Sequence, residues 1–139
     1  MKVLLDTNVI IGFFRDPQTR EAFDVRANRP LLYMSSVVAI ELFAGCRTQR
    51  QRSALSAFLK PFEKAARLVT PDHATLLEAG RVLAQLGRQG IAAAHRRQIT
   101  NDVIIAVTAA RAGVVVVTEN ARDFGRIEQH TPVRWAPPT

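Results

Sequence analysis

Four acidic residues that lie far apart along the chain have the types and positions expected of a chemical site. Asp6 directly follows the short apolar run at residues 3–5, and Glu41 interrupts a longer apolar stretch. Asp102 opens an apolar helical segment, and Asp123 follows a run of four valines. If the runs are parallel strands, their carboxyl ends share one sheet edge, where ligand sites form in such folds. Acids gathered there would repel one another, and some would take up protons unless a cation neutralised them.

This expected cluster favours a hard divalent cation, because carboxylate oxygens suit Mg²⁺ or Mn²⁺ better than softer metals. Asn120, three residues before Asp123, also follows the valine run. The sequence lacks a Gly-rich phosphate loop and a serine nucleophile elbow. His73, His95 and His130 are too far apart in sequence to form a metal-spacing pair, so surface or structural roles are expected for them.

Each acid also has a purely structural explanation, which the spacing alone leaves open. Asp6 could cap a helix, with its carboxylate on the amide of Asn8 or of the residue after it. Asp102 could cap a later helix, and Asp123 could lie on a solvated helix surface. Glu41 is harder to explain in this way, because it is expected to be half-buried and a buried glutamate is rare without a partner.

Alternating strand and helix signals must bring these residues together. Four successive valines indicate a strand buried on both faces, which occurs when helices cover a parallel sheet. The sequence therefore predicts an α/β fold with three α/β/α layers and a mainly parallel central sheet. The strands are expected near residues 3–5, 31–34, 67–70, 114–117 and 133–135. The helices are expected up to residue 14, over 17–28, 36–45 and 49–59, from 71 with Thr70 as the N-cap, over 102–112 and over 121–128. A loop or a frayed helix end is expected over residues 87–100.

The length and composition indicate a single domain over residues 1–139. One cysteine, Cys46, excludes a disulfide framework and a cysteine zinc site, and we expect it to be a small buried apolar group. Neither a signal peptide nor a membrane span is visible, which predicts a cytoplasmic protein. The net charge is +7, from 19 basic residues (three lysines and sixteen arginines) and 12 acidic ones. Arginine suits phosphates, so the charge indicates a nucleic acid or an acidic protein partner, unless the basic surface is only a solvated one.

Four ordered motifs give the whole chain a resemblance to a known family. They are VLLDTNVI at residues 3–10, SSVVAIEL at 35–42, NDVIIA at 101–106 and VTENARDF at 117–124, and the closing VRW at 133–135 also fits. The sequence thus resembles the PIN domains, and within them the VapC-type toxins of type II toxin–antitoxin pairs.

The resemblance implies that Asp6, Glu41 and Asp102 form the core of an acidic metal site, with Asn120 or Asp123 in the fourth position. All four acids would then take part in catalysis, and Mg²⁺, or Mn²⁺, would be the cofactor. The supporting polar groups, which would orient the acids or the phosphate, are Thr7, Asn8, Ser36 and Thr118. The arginines that are candidates for RNA contacts, unless they lie on solvated helix faces, are Arg47, Arg50, Arg88, Arg96 and Arg97.

The function implied by the resemblance is a metal-dependent endoribonuclease that leaves 5′-phosphate and 3′-hydroxyl ends. Such proteins form homodimers and are held inactive by a cognate antitoxin. The asparagine at position 120, where some members have an acid, favours an alternative: a non-catalytic PIN-like module that binds RNA or protein. A third hypothesis is a different metal-dependent phosphohydrolase that acts on DNA or small phosphate esters.

Overall fold

A five-stranded sheet lies at the centre of the fold in the computed structural model, which describes residues 1–26 and 30–138. The strand order is β3-β2-β1-β4-β5, and every neighbouring pair is parallel. This result confirms the mainly parallel α/β architecture. The strands are β1 (Lys2–Leu5), β2 (Leu31–Ser35), β3 (Leu68–Val69), β4 (Val115–Val117) and β5 (Trp135–Ala136).

Helices connect the strands along the described part of the chain. They are α1 (Thr7–Arg15), α2 (Pro17–Arg26), α3 (Ser36–Ala44), α4 (Gln49–Lys64), α5 (His73–Arg88), α6 (Ala93–Gln98), α7 (Thr100–Ala112) and α8 (Ala121–Ile127). The end predicted for the second helix, at residue 28, lies outside the described residues.

The core is built around β4 and α7, as their apolar sequences predict. The three valines of β4 are buried, and burial of a valine side chain stabilises a fold by about 1.5–3 kcal/mol. Helix α7 is buried over most of its length and ends at Gly113, whose φ of 69° is the left-handed conformation that glycine adopts without strain. The side chains at the start of α7 are thus held by a helix that cannot shift without opening the core.

Two predicted helix bounds were wrong. Helix α5 begins at His73 because Asp72, and not Thr70, is its N-cap: the Asp72 carboxylate accepts from the Thr75 amide at 2.8 Å. The Thr70 hydroxyl instead pairs with Ser36 Oγ at 2.6 Å. Helix α4 continues past residue 59 to Lys64 despite Pro61 within it, and the tilted rings of Phe58 and Phe62 pack against each other across this last turn.

The segment at residues 87–100, expected to be a loop or frayed end, contains helix α6. Alanines at positions 92–94 account for it, since alanine has the highest helix propensity. The last strand is Trp135–Ala136, slightly later than predicted. None of the helices in the described residues is long and apolar enough to cross a membrane.

Candidate active site at the carboxyl edge of the sheet

Asp6 and Thr118 follow the two adjacent strands β1 and β4, at the point where the strand order reverses. Asp6 is 3% exposed, and it does cap α1, as the structural explanation predicted. Its carboxylate accepts from the amide of Thr7 at 2.8 Å, however, and not from the amides of Asn8 or Val9. The second oxygen, Oδ2, accepts from the Thr118 hydroxyl at 2.7 Å. The cap and the strand-end hydroxyl together fix the direction of this carboxylate.

Glu41 lies on α3 and is half-buried, as predicted. Its neighbours Val38 and Leu42 face the core, so the helix leaves the glutamate at the border between core and solvent. The Thr7 hydroxyl donates to Glu41 Oε1 at 2.9 Å. Thr7 therefore contacts two acids, through its amide and its hydroxyl, and ties α1 to α3.

Asp102 lies in the first turn of α7, and Ile99 stands at the cap position, so the proposed cap role of Asp102 was wrong. Burial raises the pKa of Asp102 to about 7, and the charge of Asp6 adds to the effect. The charges of Glu41 and Asp123 act in the same direction, while a hydrogen bond from Asn120 opposes it. Asp102 therefore lies within electrostatic range of all three other acids. The fold thus brings the four predicted carboxylates into one electrostatic cluster.

Asp123 is buried, at 9% exposure, so its placement on a solvated helix surface was wrong. Its Oδ1 lies 3.0 Å from His95 Nε2 and 3.8 Å from the Arg126 guanidinium. Its Oδ2 accepts from Asn120 Nδ2 at 3.0 Å. The same Asn120 nitrogen donates to Asp102 Oδ2 at 2.9 Å, so Asn120 bridges the two acids.

His95 was not among the predicted site residues, and we had expected a surface or structural role for it. It reaches Asp123 from α6, across 28 positions of sequence. The segment that carries it was expected to be a loop or a frayed end, and no sequence motif links the two residues. Only the packing of α6 against its neighbours brings them together.

The supporting polar groups divide into two sets. Thr7 and Thr118 contact acids directly, and Asn8 lies 3.5 Å from Asp6 while its oxygen accepts from the Glu119 amide at 3.3 Å. Ser36, in contrast, pairs with the Thr70 hydroxyl, and no contact between Ser36 and an acid is observed in the described structure.

The predicted arginines also differ from one another. Arg47, Arg50, Arg88 and Arg97 are exposed and free to meet a polyanion. The guanidinium of Arg96 donates to the carbonyl oxygen of Ile91 at 2.8 Å, which gives it a structural role.

The donor set fits a hard divalent cation, although the described side chains do not form a closed metal cage. Among the described residues, no three histidine, cysteine, aspartate or glutamate side chains are close enough together to hold a metal ion between them. Burial first, and then the charges of the other acids, raise the pKa of Asp102, so a cation beside these carboxylates would be favoured. Carboxylate oxygens in such a cluster are the ligands that Mg²⁺ and Mn²⁺ prefer.

A cavity of about 350 Å³ lies beside the cluster, between α1, α3 and α4. Glu41 lines one end of it, and most of the remaining wall is apolar. Cys46 is half-buried in this wall, and its thiol donates to the Leu42 carbonyl at 3.4 Å. The lining residues are Ile11, Phe14, Arg15, Glu41, Leu42, Gly45, Cys46, Gln51, Ala54 and Leu55.

The chain is an α/β domain with an acidic cluster at the carboxyl edge of its parallel sheet, the edge at which folds of this class bind ligands. Residues 3–129 match the family model of the PIN domain, and the chain belongs to the PIN-domain family. The relatives it resembles are VapC proteins, as the sequence motifs predicted.

The chain is 30% identical over 129 residues to the tRNA(fMet)-specific endonuclease VapC of Shigella flexneri, which covers 91% of this chain and 92% of that protein. It is 26% identical over 137 residues to ribonuclease VapC2 of Haemophilus influenzae, with 97% and 98% of the two chains covered. Among solved structures, the DNA-bound VapBC of Salmonella typhimurium matches 100% of this chain and 99% of that chain, with a TM-score of 0.70 and 26% identity.

Proposed function

We propose that this chain is a metal-dependent endoribonuclease and the toxin of a type II toxin–antitoxin pair. The observation that carries the proposal is the hydrogen-bond network that links three of the acids through Thr7, Thr118 and Asn120, at the carboxyl edge of a PIN fold. Relatives named as a tRNA(fMet)-specific endonuclease and a ribonuclease support RNA as the substrate.

The acids and their hydrogen-bond partners have distinct tasks in this function. Asp6 and Asp102 would hold Mg²⁺ or Mn²⁺ directly, and Glu41 would hold it directly or through a water. When bound, the cation would acidify a water and offset the charge that develops on the phosphate. Thr7 and Thr118 donate to Glu41 and Asp6 and hold the two carboxylates in fixed directions. A carboxylate of the cluster accepts the proton of the attacking water.

The chain outside the acidic cluster is strongly basic, which suits a polyanionic substrate. The net charge of +7 includes the acids of the cluster, so the rest of the surface is more basic still. The exposed arginines at positions 47, 50, 88 and 97 would draw the RNA backbone toward the acids. We predict that these arginines contact phosphates and leave the cutting to the acids.

The test of the proposed function is cleavage of end-labelled total RNA by purified protein, with Mg²⁺, Mn²⁺ or EDTA. Asp102→Asn keeps the shape but removes the charge, so we expect at least about a 100-fold lower rate, equivalent to the few kcal/mol that such a site contributes. Glu63→Gln, an exposed acid on α4, is the matched control and should leave the rate unchanged.

Three kinds of result would contradict the proposal. Cleavage that persists in EDTA, or in the Asp102→Asn variant, would show that the cluster is not the catalytic site. Salt-dependent RNA binding without any metal-dependent cutting would favour the non-catalytic binding module. Equal cutting of RNA and of DNA with the same sequence would favour the broader phosphohydrolase.

We further propose that an apolar segment of the antitoxin fills the cavity between α1, α3 and α4. Ile11 and Phe14 line this cavity and remain 36% and 54% exposed, and the cavity leads to Glu41. A segment seated there would reach the acids and block the RNA. The solved VapBC structures that this chain matches are toxin–antitoxin complexes, which supports an antitoxin partner. We also predict a homodimer and a cytoplasmic location.

Ile11→Asp tests the cavity as the antitoxin site. We expect the affinity for the purified cognate antitoxin to fall at least about tenfold, because a charge would be buried in an apolar contact. Leu68→Asp, an exposed apolar side chain on the outer strand β3, is the control and should bind as wild type. Calorimetry gives both dissociation constants, and an unchanged affinity of the Ile11 variant would place the antitoxin elsewhere.

A further inference from the structure

We propose that His95 is a positioning residue of the active site and acts through Asp123 and Asn120 on Asp102. The proposal rests on the proposed nuclease function and assigns a further residue to that site. We call the chain of contacts from His95 through Asp123 to Asn120 the histidine arm. It runs from α6 to the first turn of α7, where Asp102 lies.

The first step of the argument is that hydrogen-bond donors occupy both oxygens of Asp123. His95 Nε2 lies 3.0 Å from Oδ1, and because a carboxylate can only accept, the histidine is the donor. The Arg126 guanidinium approaches the same oxygen at 3.8 Å. Asn120 donates to Oδ2 at 3.0 Å. Asp123 therefore acts as an anchor with a donor on each of its two oxygens.

The second step concerns the orientation of Asn120. Its side-chain nitrogen lies within 3.0 Å of one oxygen of Asp102 and of one oxygen of Asp123. Both partners are acceptors, so the NH₂ group must face them and the amide oxygen must point elsewhere. Asn120 thus orients Asp102 by donating to it. In this arrangement Asn120 fills the fourth position as a donor, in place of the metal-binding oxygen that the sequence suggested.

The third step is that α6 is held firmly enough to aim a side chain. Arg96, next to His95, donates to the Ile91 carbonyl at 2.8 Å. Its guanidinium lies directly against Gly87 on α5, where a Cβ atom would collide with it. The glycine therefore makes room for the arginine that anchors α6, and α6 in turn presents His95 to Asp123.

Outer partners of this kind typically change metal affinity or rate by about 10–100-fold when they are removed. Loss of His95 would leave one Asp123 oxygen without its closest donor and allow Asp123 and Asn120 to turn. Asp102 would then keep its charge but lose its fixed direction. We expect a slower chemical step and little change in RNA binding, because none of the three residues of the histidine arm is required to contact the RNA.

The kinetic test compares His95→Ala, His95→Gln and, as the matched control, His73→Ala at the exposed start of α5. For His95→Ala we expect kcat to fall about tenfold while KM changes less than about twofold. Glutamine retains an N–H donor, so His95→Gln should recover most of the rate. Adding His95→Ala to the Asn120→Ala variant should not lower kcat further, because the Asn120 substitution has already interrupted the histidine arm. Full activity of His95→Ala, or additive losses in the double variant, would overturn the proposal.

The spectroscopic test does not depend on nuclease activity. The side-chain NH₂ signals of Asn120, identified by their loss in Asn120→Ala, report its hydrogen bonds directly. We expect them to move toward the position of a free amide in His95→Ala and in Asp123→Asn, but not in His73→Ala. Unmoved signals in His95→Ala would overturn the arm, even if the protein cuts RNA. If the wild type cuts no RNA while the signals move as expected, the proposed function fails and the arm itself stands.

Gly87→Ala tests the arm from its outer end without touching the site. The added methyl group would push the Arg96 guanidinium away from the Ile91 carbonyl and loosen α6. We expect the Asn120 signals to shift in the same direction as in His95→Ala, with a smaller change in kcat. Wild-type signals in a folded Gly87→Ala protein would contradict the role of Arg96 in aiming His95.

Discussion

At the scale of single residues, the hydroxyl groups around the acids explain how the carboxylates can stay close together. Thr118 is fully buried. Its hydroxyl donates to Asp6 at 2.7 Å and accepts from the backbone amide of Asn120 at 3.0 Å. Thr7 donates to Glu41 and to Asp6 through two different groups. Such bonds stabilise ionised acids but add no positive charge, so part of the mutual repulsion remains. Burial and this remaining repulsion together raise the pKa of Asp102.

The raised pKa of Asp102 predicts a pH-dependent stability. Between pH 4 and pH 7 the folded state keeps a proton that the unfolded state has released, so stability falls as pH rises through this window. Asp102→Asn should therefore be more stable than the wild type at pH 8 and unfold at a higher urea concentration. The expected difference in the free energy of unfolding is about 1–2 kcal/mol once solvent screening is allowed for. At pH 4 the two proteins should be equally stable.

Urea unfolding at pH 4, 6 and 8 in EDTA measures this difference. Addition of Mg²⁺ at pH 8 should stabilise the wild type more than the variant, because a bound cation offsets the charge on Asp102. A stability difference between the two proteins that does not change with pH would show that Asp102 is not the group whose pKa is raised in the folded state.

At the scale of elements, the start and the end of α7 have separate tasks. Its first turn holds Asp102 beside Asn120, and its end at Gly113 lets the chain reverse into β4. The sequence predicted Asp102 at the start of this helix and Gly113 at its end, because apolar periodicity and a terminal glycine are local signals. It missed the true start of α5, where Asp72 caps the helix while the Thr70 hydroxyl pairs with Ser36, a contact between distant parts of the chain. It also missed α6, whose alanines favour a helix and whose Arg96 packs against Gly87 on α5.

Two glycine substitutions should change stability in opposite directions. Gly113→Ala places a Cβ at a φ of 69°, where left-handed backbone costs an L-residue about 1–2 kcal/mol. Gly80→Ala lies in the interior of α5, where nothing is within 4 Å of the added Cβ, so it should stabilise by about 0.5–1 kcal/mol. The urea midpoint of each variant, compared with that of the wild type, gives both values. A Gly113→Ala midpoint equal to that of the wild type would show that the end of α7 does not depend on glycine.

At the scale of the whole molecule, exposed arginines and a partly buried acidic cluster have separate roles, the first in attracting RNA and the second in the reaction. The two charges act over different distances: exposed arginines steer a polyanion through solvent, while the acids act only on what enters the cluster. The cavity beside Glu41 adds an apolar route to the same centre. Substrate and antitoxin would therefore approach the acids from different surfaces and compete at one point.

This division predicts a steep salt dependence of RNA binding. With about four phosphate contacts on single-stranded RNA, affinity should fall about 50-fold between 50 and 200 mM salt. Arg88→Ala should reduce the slope of log Kd against log salt by about 0.7, the contribution of one contact. The control is Arg111→Ala, an exposed arginine at the end of α7 remote from Asp102. Filter binding across a salt series measures both slopes, and equal slopes for the two variants would contradict the predicted surface.

The sequence by itself determined the fold class, the order of the main elements and the acids of the site. Those features follow from local patterns: apolar runs make buried strands, and acids at strand ends must meet at one sheet edge. The tertiary structure alone decided that Asp123 is buried, that His95 reaches it and that Asn120 donates to Asp102. The physical reason is that a side-chain hydrogen bond needs atoms within about 3 Å, and that distance depends on how separate helices pack.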